Sequence, residues 1–559
     1  MTMKNIKINQ SIRRVVASYF SIVALFIGFS CNDIITEDPI SIATANGHYT
    51  NERGILDGLN SVYTPLRSYY GQESSYFMTV VGTDMYTNGF GGNRNNPSWN
   101  NYDVNLTGSH NYLINLWDNF YAGINQANTI IGRVPTIDEI PEARKAIIEG
   151  EARFLRALYY YILVQQFGDV HFTLEETIGV QTEAFRTPVA TIYQDGIVPD
   201  LQFAIDNLPD PDAITDYGRV HKAAAEGLMA RVQLTLGNYA DAETLANNVI
   251  DDYSFSLVPD YKELWDFNNQ INSEFIWTVQ YTLDPLTNEG GNPSFLYWVW
   301  DYTRNPAMIR DQENGRPFQR FMPTNYFLES WNRDGDARWA ATFKTVFIAN
   351  STGTINGQTV VPGDTAIKIS MEPVDDALQA SAPYQWIDYN GEDVNNQSDD
   401  TQVGGQAGRN FPVLNKYYDA QRSAVNATDG SRDYPVLRLA EMYLISAEAA
   451  HMQGRNDDAA TRLNELRVRA VVPGYEAEMN VAEGDVDIDF ILDERARELC
   501  GEGHRWYDLK RTGKLIERVQ AYNSLGGPNI KPMHLVRPIP TTQIDRVTNP
   551  GDFPQNEGY

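Results

Sequence analysis

The chain has 559 residues, 42% of them hydrophobic and 12% aromatic, with a formal net charge of −29. That length allows a large core and, at about 150 residues per domain, three or four domains. So large an excess of carboxylates repels a phosphate backbone and an anionic lipid surface, which counts against nucleic-acid binding and against electrostatic adhesion to membranes.

The first elements read as an export signal. Lys4, Lys7, Arg13 and Arg14 form a basic start without acidic residues, and an apolar run from Val15 to Phe29 follows. The run is shorter than the roughly 20 residues of a membrane-spanning helix. Cys31, directly after Gly28-Phe29-Ser30, resembles a bacterial lipoprotein cleavage site, although Gly28 stands where Leu is usual. Residues 1–30 are therefore expected to be removed and Cys31 lipidated, with 31–45 as an acidic tether. The other reading is an ordinary secretory signal beside an unrelated cysteine. Only Cys500 remains as a possible partner, so no disulfide framework is available once Cys31 is acylated. Cys500 itself reads as a small buried apolar residue.

Beyond the tether, Leu56, Leu59, Val62, Tyr63 and Leu66 recur at helical spacing, with Pro65 bending or ending the helix. Residues 82–109 are crowded with Gly and Asn and read as a long loop carrying Asp84, Tyr86, Phe90, Trp99 and Tyr102. Helices are expected over 113–131 and 142–167. Two similar helical hairpins follow, Ala223 to Ile250 turning at Gly237 and Glu441 to Val468 turning at Gly454. Each has an alanine before and after the turn (Ala230 and Ala242; Ala447 and Ala459), the spacing of tetratricopeptide hairpins. Lying far apart in sequence, they are expected to pack together in space. Between them, 253–435 is less helical, with short strands at 275–279 and 345–348 and loops over 284–320 and 351–410. A last helix spans Ile491 to Leu499, and the tail reads as extended.

Three segments together resemble the SusD/RagB family of outer-membrane lipoproteins. They are Glu151-Ala152-Arg153-Phe154-Leu155-Arg156-Ala157-Leu158-Tyr159-Tyr160, Tyr434-Pro435-Val436-Leu437-Arg438-Leu439-Ala440-Glu441, and Glu494-Arg495-Ala496-Arg497-Glu498-Leu499 running on to His504-Arg505-Trp506-Tyr507-Asp508. The resemblance implies a mainly α fold, with four tetratricopeptide-like helix pairs as a platform and an irregular half of loops and short strands carrying the ligand surface. It implies one domain over 46–559, divided into a helical part (46–252), an irregular insert (253–435) and a C-terminal helical part with tail (436–559). It also implies a cell-surface, lipid-anchored, non-enzymatic protein of the outer membrane. Such a protein would capture oligosaccharide and deliver it to a SusC-type TonB-dependent transporter. Capture of peptides or another nutrient, and a protein-binding adaptor without ligand, are the alternatives. Arg153, Arg156, Arg438, Glu441, Glu494, Arg497 and His504 are expected to form an ionic network between helix pairs.

No phosphate-binding loop, nucleophile elbow or His-Glu-x-x-His is present, and the seven histidines are scattered. No metal or cofactor is expected. Asp485, Asp487 and Asp489 alternate but lack the glycine and terminal Glu of a calcium loop, and read as a solvated helix start. A glycan site asks for aromatic faces rimmed by polar side chains. The expected candidates are Asp84, Tyr86, Arg94 and Trp99, then Tyr297, Trp298, Trp300 and Arg304, with Trp386 and Tyr389 as a weaker group beside Tyr384.

Overall fold

A computed structural model describes residues 45–89, 96–388 and 410–559. Cys31, Arg94 and Tyr389 lie outside the described residues. About half of the protein is helical, with few and short strands. None of the described helices is long and apolar enough to cross a membrane.

Helices of seven residues or more are α1 (Glu52–Arg67), α2 (Glu73–Thr79), α3 (Asn111–Arg133), α4 (Glu142–Phe167), α5 (Val198–Asn207), α6 (Lys222–Leu236), α7 (Tyr239–Asp251), α8 (Leu439–Met452), α9 (Asn456–Arg467), α10 (Ile488–Glu498), α11 (Arg505–Arg511) and α12 (Leu515–Tyr522). Their ends follow local chemistry. The Asn51 side chain accepts from Gly54 N and caps α1, and Asp487 accepts from Phe490 N and caps α10. Gly237 and Gly454 turn the two hairpins with φ of 77° and 78°, a region that glycine enters without strain. Pro65 lies inside the last turn of α1, which continues to Arg67.

Eight helices pack in series: α1 on α3, then α4, α5, α6, α7, α8 and α9. The two hairpins meet through α7 and α8, so the segments distant in sequence are neighbours in space. The alanines flanking each turn are fully buried, which lets the helix axes approach closely. One apolar cluster runs from Ile55 to Phe553, and a second fills the space between α8, α9 and α10.

The strand Phe275–Val279 pairs antiparallel with Tyr434–Arg438 and clips together the two ends of the irregular insert. Val346–Ile348 pairs with Thr365–Ser370, which pairs in parallel with Gln385–Asp388. Two expectations are corrected. Residues 82–109 contain the strand Tyr86–Asn88, paired with Phe321–Pro323, and the helix Ser98–Asn101. The tail is not simply extended, because α11 and α12 follow α10 and a further short helix spans Thr541–Arg546. These elements are short, and α11 and α12 bury Trp506, Leu509, Leu515 and Val519 while Arg505, Arg511 and Arg518 add ion pairs.

Candidate functional site

Most of the expected ligand contacts are core residues. Asp84 is fully buried, and its Oδ1 takes the Arg505 Nε at 2.7 Å while Oδ2 takes Arg518 Nη1 at 3.1 Å. Tyr86 packs edge-on against Trp298 at 4.9 Å between ring centroids, with its hydroxyl 3.6 Å from Cys500 Sγ. Trp99 donates from Nε1 to His110 Nε2 at 3.0 Å, beneath the Arg537 guanidinium. Trp300 donates to the Phe411 carbonyl at 2.9 Å. Tyr297 and Trp298 pack around Tyr76 and Phe321, and Tyr297 borders a cavity. Gly- and Asn-rich composition read as surface loop here encloses packed aromatics, whose large apolar area is best used inside. Arg304 is exposed beside Asp301, and Trp386 is half-buried under the Lys368 ammonium and against the edge of Tyr384.

The seven family-motif residues fall into three separate knots. Arg156 clasps Asp200 through two bonds of 2.8 Å and gives a third of 2.7 Å to Asn128, joining α3, α4 and α5, and Arg153 also reaches Asp200. Arg438 binds Glu274, Glu498 and Glu502, while Arg338 bridges Asp336, Glu494 and Glu498, and Arg497 pairs with Glu494. Glu441 takes Arg231 at 2.6 Å and lies 3.7 Å from His504 Nδ1. Burial by itself would raise the Glu441 carboxyl, but Arg231 and then His504 outweigh it and bring it down to about 2. Asp489 pairs with Lys514 and Arg518, so it is more than a solvated helix start.

An open cleft of about 820 Å³ lies between α1, α2, α3 and the loop 281–291. At one end the Glu73 carboxylate takes Arg320 Nε at 2.8 Å and the Tyr112 hydroxyl at 2.9 Å. Burial and the Glu73 charge both push the Tyr112 phenol up, so it stays a neutral donor. The guanidinium carbon of Arg320 lies 5.2 Å from the Phe318 ring centroid. Along the walls, Asn115 and Asn119 stand one turn apart on α3, facing Ser61 and Thr64 of α1 and Ser74 of α2. Asn115, Asn119, Thr64 and Ser74 bear side chains with no hydrogen bond to the described residues. Pro65 has no N–H to offer the Ser61 carbonyl four residues earlier. Tyr69 and Tyr281 add apolar wall. Gln72 ties the corner between α1 and α2 to the loop by donating to the carbonyls of Arg67 and Gly291 at 3.0 and 3.1 Å.

These groups offer hydrogen bonds on a rigid frame, the chemistry of a polyhydroxylated ligand. Among the described residues no cluster of three or more His, Cys, Asp and Glu side chains is arranged to hold a metal. Sequence reasoning passed over Glu73, Tyr112, Asn115, Asn119 and Arg320. Asn115 and Asn119 lie on the polar face of α3, and any surface helix has one.

Comparison with known proteins finds the SusD family model over residues 273–559 and a second model, described as starch-binding associating with outer membrane, over 52–234. SusD-like protein P25 of Formosa agariphila is 27% identical over 547 residues, covering 93% of this chain and 94% of that protein. The starch-binding protein SusD of Bacteroides thetaiotaomicron is 25% identical over 444 residues, 73% of this chain and 72% of its own. Among solved structures, a laminarin-binding SusD-like protein superposes with a TM-score of 0.68 at 24% identity, over 91% of this chain and 100% of that one. Surface glycan-binding protein A of Bacteroides thetaiotaomicron, in complex with laminarihexaose, gives 0.66 at 21% identity with the same coverage.

Proposed function

Because the chain belongs to the SusD family, we propose that it is a cell-surface binding protein of the outer membrane that captures a glycan in the 820 Å³ cleft. The bound chain is handed on, without turnover, to a SusC-type TonB-dependent barrel. Lipid on Cys31 is the anchor in this reading, since several acyl chains hold a protein at a membrane where one does not.

The observation that carries the reading is the row of unpaired amides and hydroxyls on α1, α2 and α3. Hydroxyl-rich sugars satisfy such a row, and an apolar ligand leaves it desolvated and unpaired. The names of two structural neighbours point to laminarin as the first ligand to try. The test is calorimetry of the full chain in detergent against laminarin, starch and a wider polysaccharide panel, beside an Asn115→Ala plus Asn119→Ala variant. One polysaccharide is expected to bind, with affinity at least tenfold lower in the variant at about 1 kcal/mol per lost hydrogen bond. Binding that the variant leaves intact moves the site elsewhere, and no binding across the panel ends the glycan reading.

A further inference from the structure

A smaller hollow of about 260 Å³ adjoins the cleft, lined by Asn60, Tyr63, Leu66, Trp277 and Gln280. Thr64, Arg67 and Glu289 border both. Resting on the glycan reading above, we propose that the two hollows form one trough that takes an internal stretch of a linear polysaccharide, with Arg67 and Glu289 gripping the sugar unit at the junction.

Arg67 is held ready for this. Its Nε donates to the Gln280 carbonyl at 2.8 Å and its Nη1 to the Thr287 carbonyl at 2.6 Å. The guanidinium carbon lies 5.4 Å from the centroid of the Tyr281 ring. Two carbonyls and a ring fix the planar fork, so little rotamer freedom is left to lose when a ligand arrives. Nη2 makes no bond to the described residues and remains available as a donor.

Glu289 supplies the acceptor. It is exposed, and its backbone sits at φ 52°, in the left-handed region. A side chain other than glycine is strained there, and glycine at that position relieves the strain. Gly290 and Gly291 follow at once, so the neighbouring backbone is built for tight turning while position 289 keeps a carboxylate. Strain retained beside a cavity, with the charged group facing solvent, is the pattern of a ligand clamp. A guanidinium donor and a carboxylate acceptor at one junction suit the paired hydroxyls of a sugar ring. Trp277, almost wholly buried with its Nε1 committed to the Gly218 carbonyl at 3.0 Å, gives the smaller hollow a fixed edge. A short oligomer fills the larger hollow alone, and a longer one crosses Arg67 and gains the second.

The experiment is calorimetry of the full chain in detergent with two series, laminaribiose against laminarihexaose and maltose against maltohexaose. In the wild type the hexaose of the recognised series is expected to bind at least tenfold more tightly than its disaccharide. Asn60→Trp, which fills the smaller hollow, brings the hexaose down to the disaccharide value. Glu289→Gly, which relieves the backbone while removing the carboxylate, weakens the hexaose several-fold without lowering the melting temperature. Equal affinity for short and long oligomers in the wild type overturns the trough while leaving the glycan reading in place. So does a full length-dependent gain in both variants. Failure of both hexaoses to bind overturns the trough, and it removes the glycan reading as well when no polysaccharide of the panel binds.

Discussion

His504 shows what the family motifs do at the level of one residue. It is nearly buried, 3.7 Å from Glu441, with Arg231, Arg495 and Asp508 also facing it. Burial outweighs the pull of Glu441 and brings the imidazole pKa from 6.5 down to about 4. The folded protein therefore keeps His504 neutral through a range in which the unfolded chain takes up a proton. Stability from this group is full above pH 6.5 and is lost as pH falls towards 4, in all by roughly 3 kcal/mol. Asp433, raised by burial to about 6, works in the opposite sense over the lower part of that range, so the wild-type profile alone does not isolate the histidine. Comparison with His504→Gln does. Urea unfolding at pH 7, 5 and 4 is expected to show the variant losing about 3 kcal/mol less than the wild type over that span. Parallel profiles for the two proteins refute the assignment. An acid/base catalyst needs a histidine that titrates near its working pH and reaches a substrate, whereas His504 is neutral and enclosed.

At the scale of elements, what could be read depended on whether local pattern or distant contact made the structure. Helix α4 runs from Glu142 to Phe167, the span its apolar periodicity and Gly168 predict, because the run of residues from 154 to 163 needs only a neighbour of any kind. The hairpins were legible for the same reason, since Gly237 and Gly454 announce their turns and the alanines their close approach. Nothing local tells α7 to pack against α8, which shared burial and cross-hairpin polar contacts such as Ser446 to Asn247 decide. Short strands such as Tyr86–Asn88 and the short helices α11 and α12 were hidden, because they have partners hundreds of residues away. The cleft was hidden too, and most of the aromatics expected to bind ligand were drawn inward. The hairpin reading has a direct test. The Gly454 Cβ direction is open space, so Gly454→Ala meets no neighbour and adds only left-handed backbone strain, about 1 kcal/mol. The unfolding free energy is expected to drop by that amount, read as a lower denaturation midpoint at unchanged m. An unchanged midpoint means that the turn relaxes and that the glycine matters less than its conformation suggests.

Asp84 bears on the whole molecule, because its partners Arg505 and Arg518 stand more than 400 residues along the chain. The same closure recurs nearby. Asn523 donates to the Thr83 carbonyl at 2.9 Å, Arg537 N to the Gln166 carbonyl at 2.6 Å, and Asn556 to the Phe167 carbonyl at 2.9 Å. The tail is thus stitched to the loop after α2 and to the end of α4. Burial would raise the Asp84 carboxyl, but Arg505 and then Arg518 hold it below the usual carboxylate range. Asp84→Asn keeps the shape but leaves the buried Arg505 guanidinium against an amide, while Arg518 retains Asp489 and Asp493, a loss of about 3 kcal/mol. If the closure belongs to one cooperative unit, tryptophan fluorescence and far-ultraviolet dichroism should shift together to a lower midpoint, because the helices cannot outlast the tail. Separate transitions, with the helical signal unmoved, instead make the tail an independent unit. Binding distinguishes structure from recognition at the same position. In this account the folded Asp84→Asn protein holds its polysaccharide as the wild type does, since a fully buried carboxylate touches no ligand. Lost binding at unchanged stability returns Asp84 to the ligand surface and implies that the cleft opens further than the structure describes.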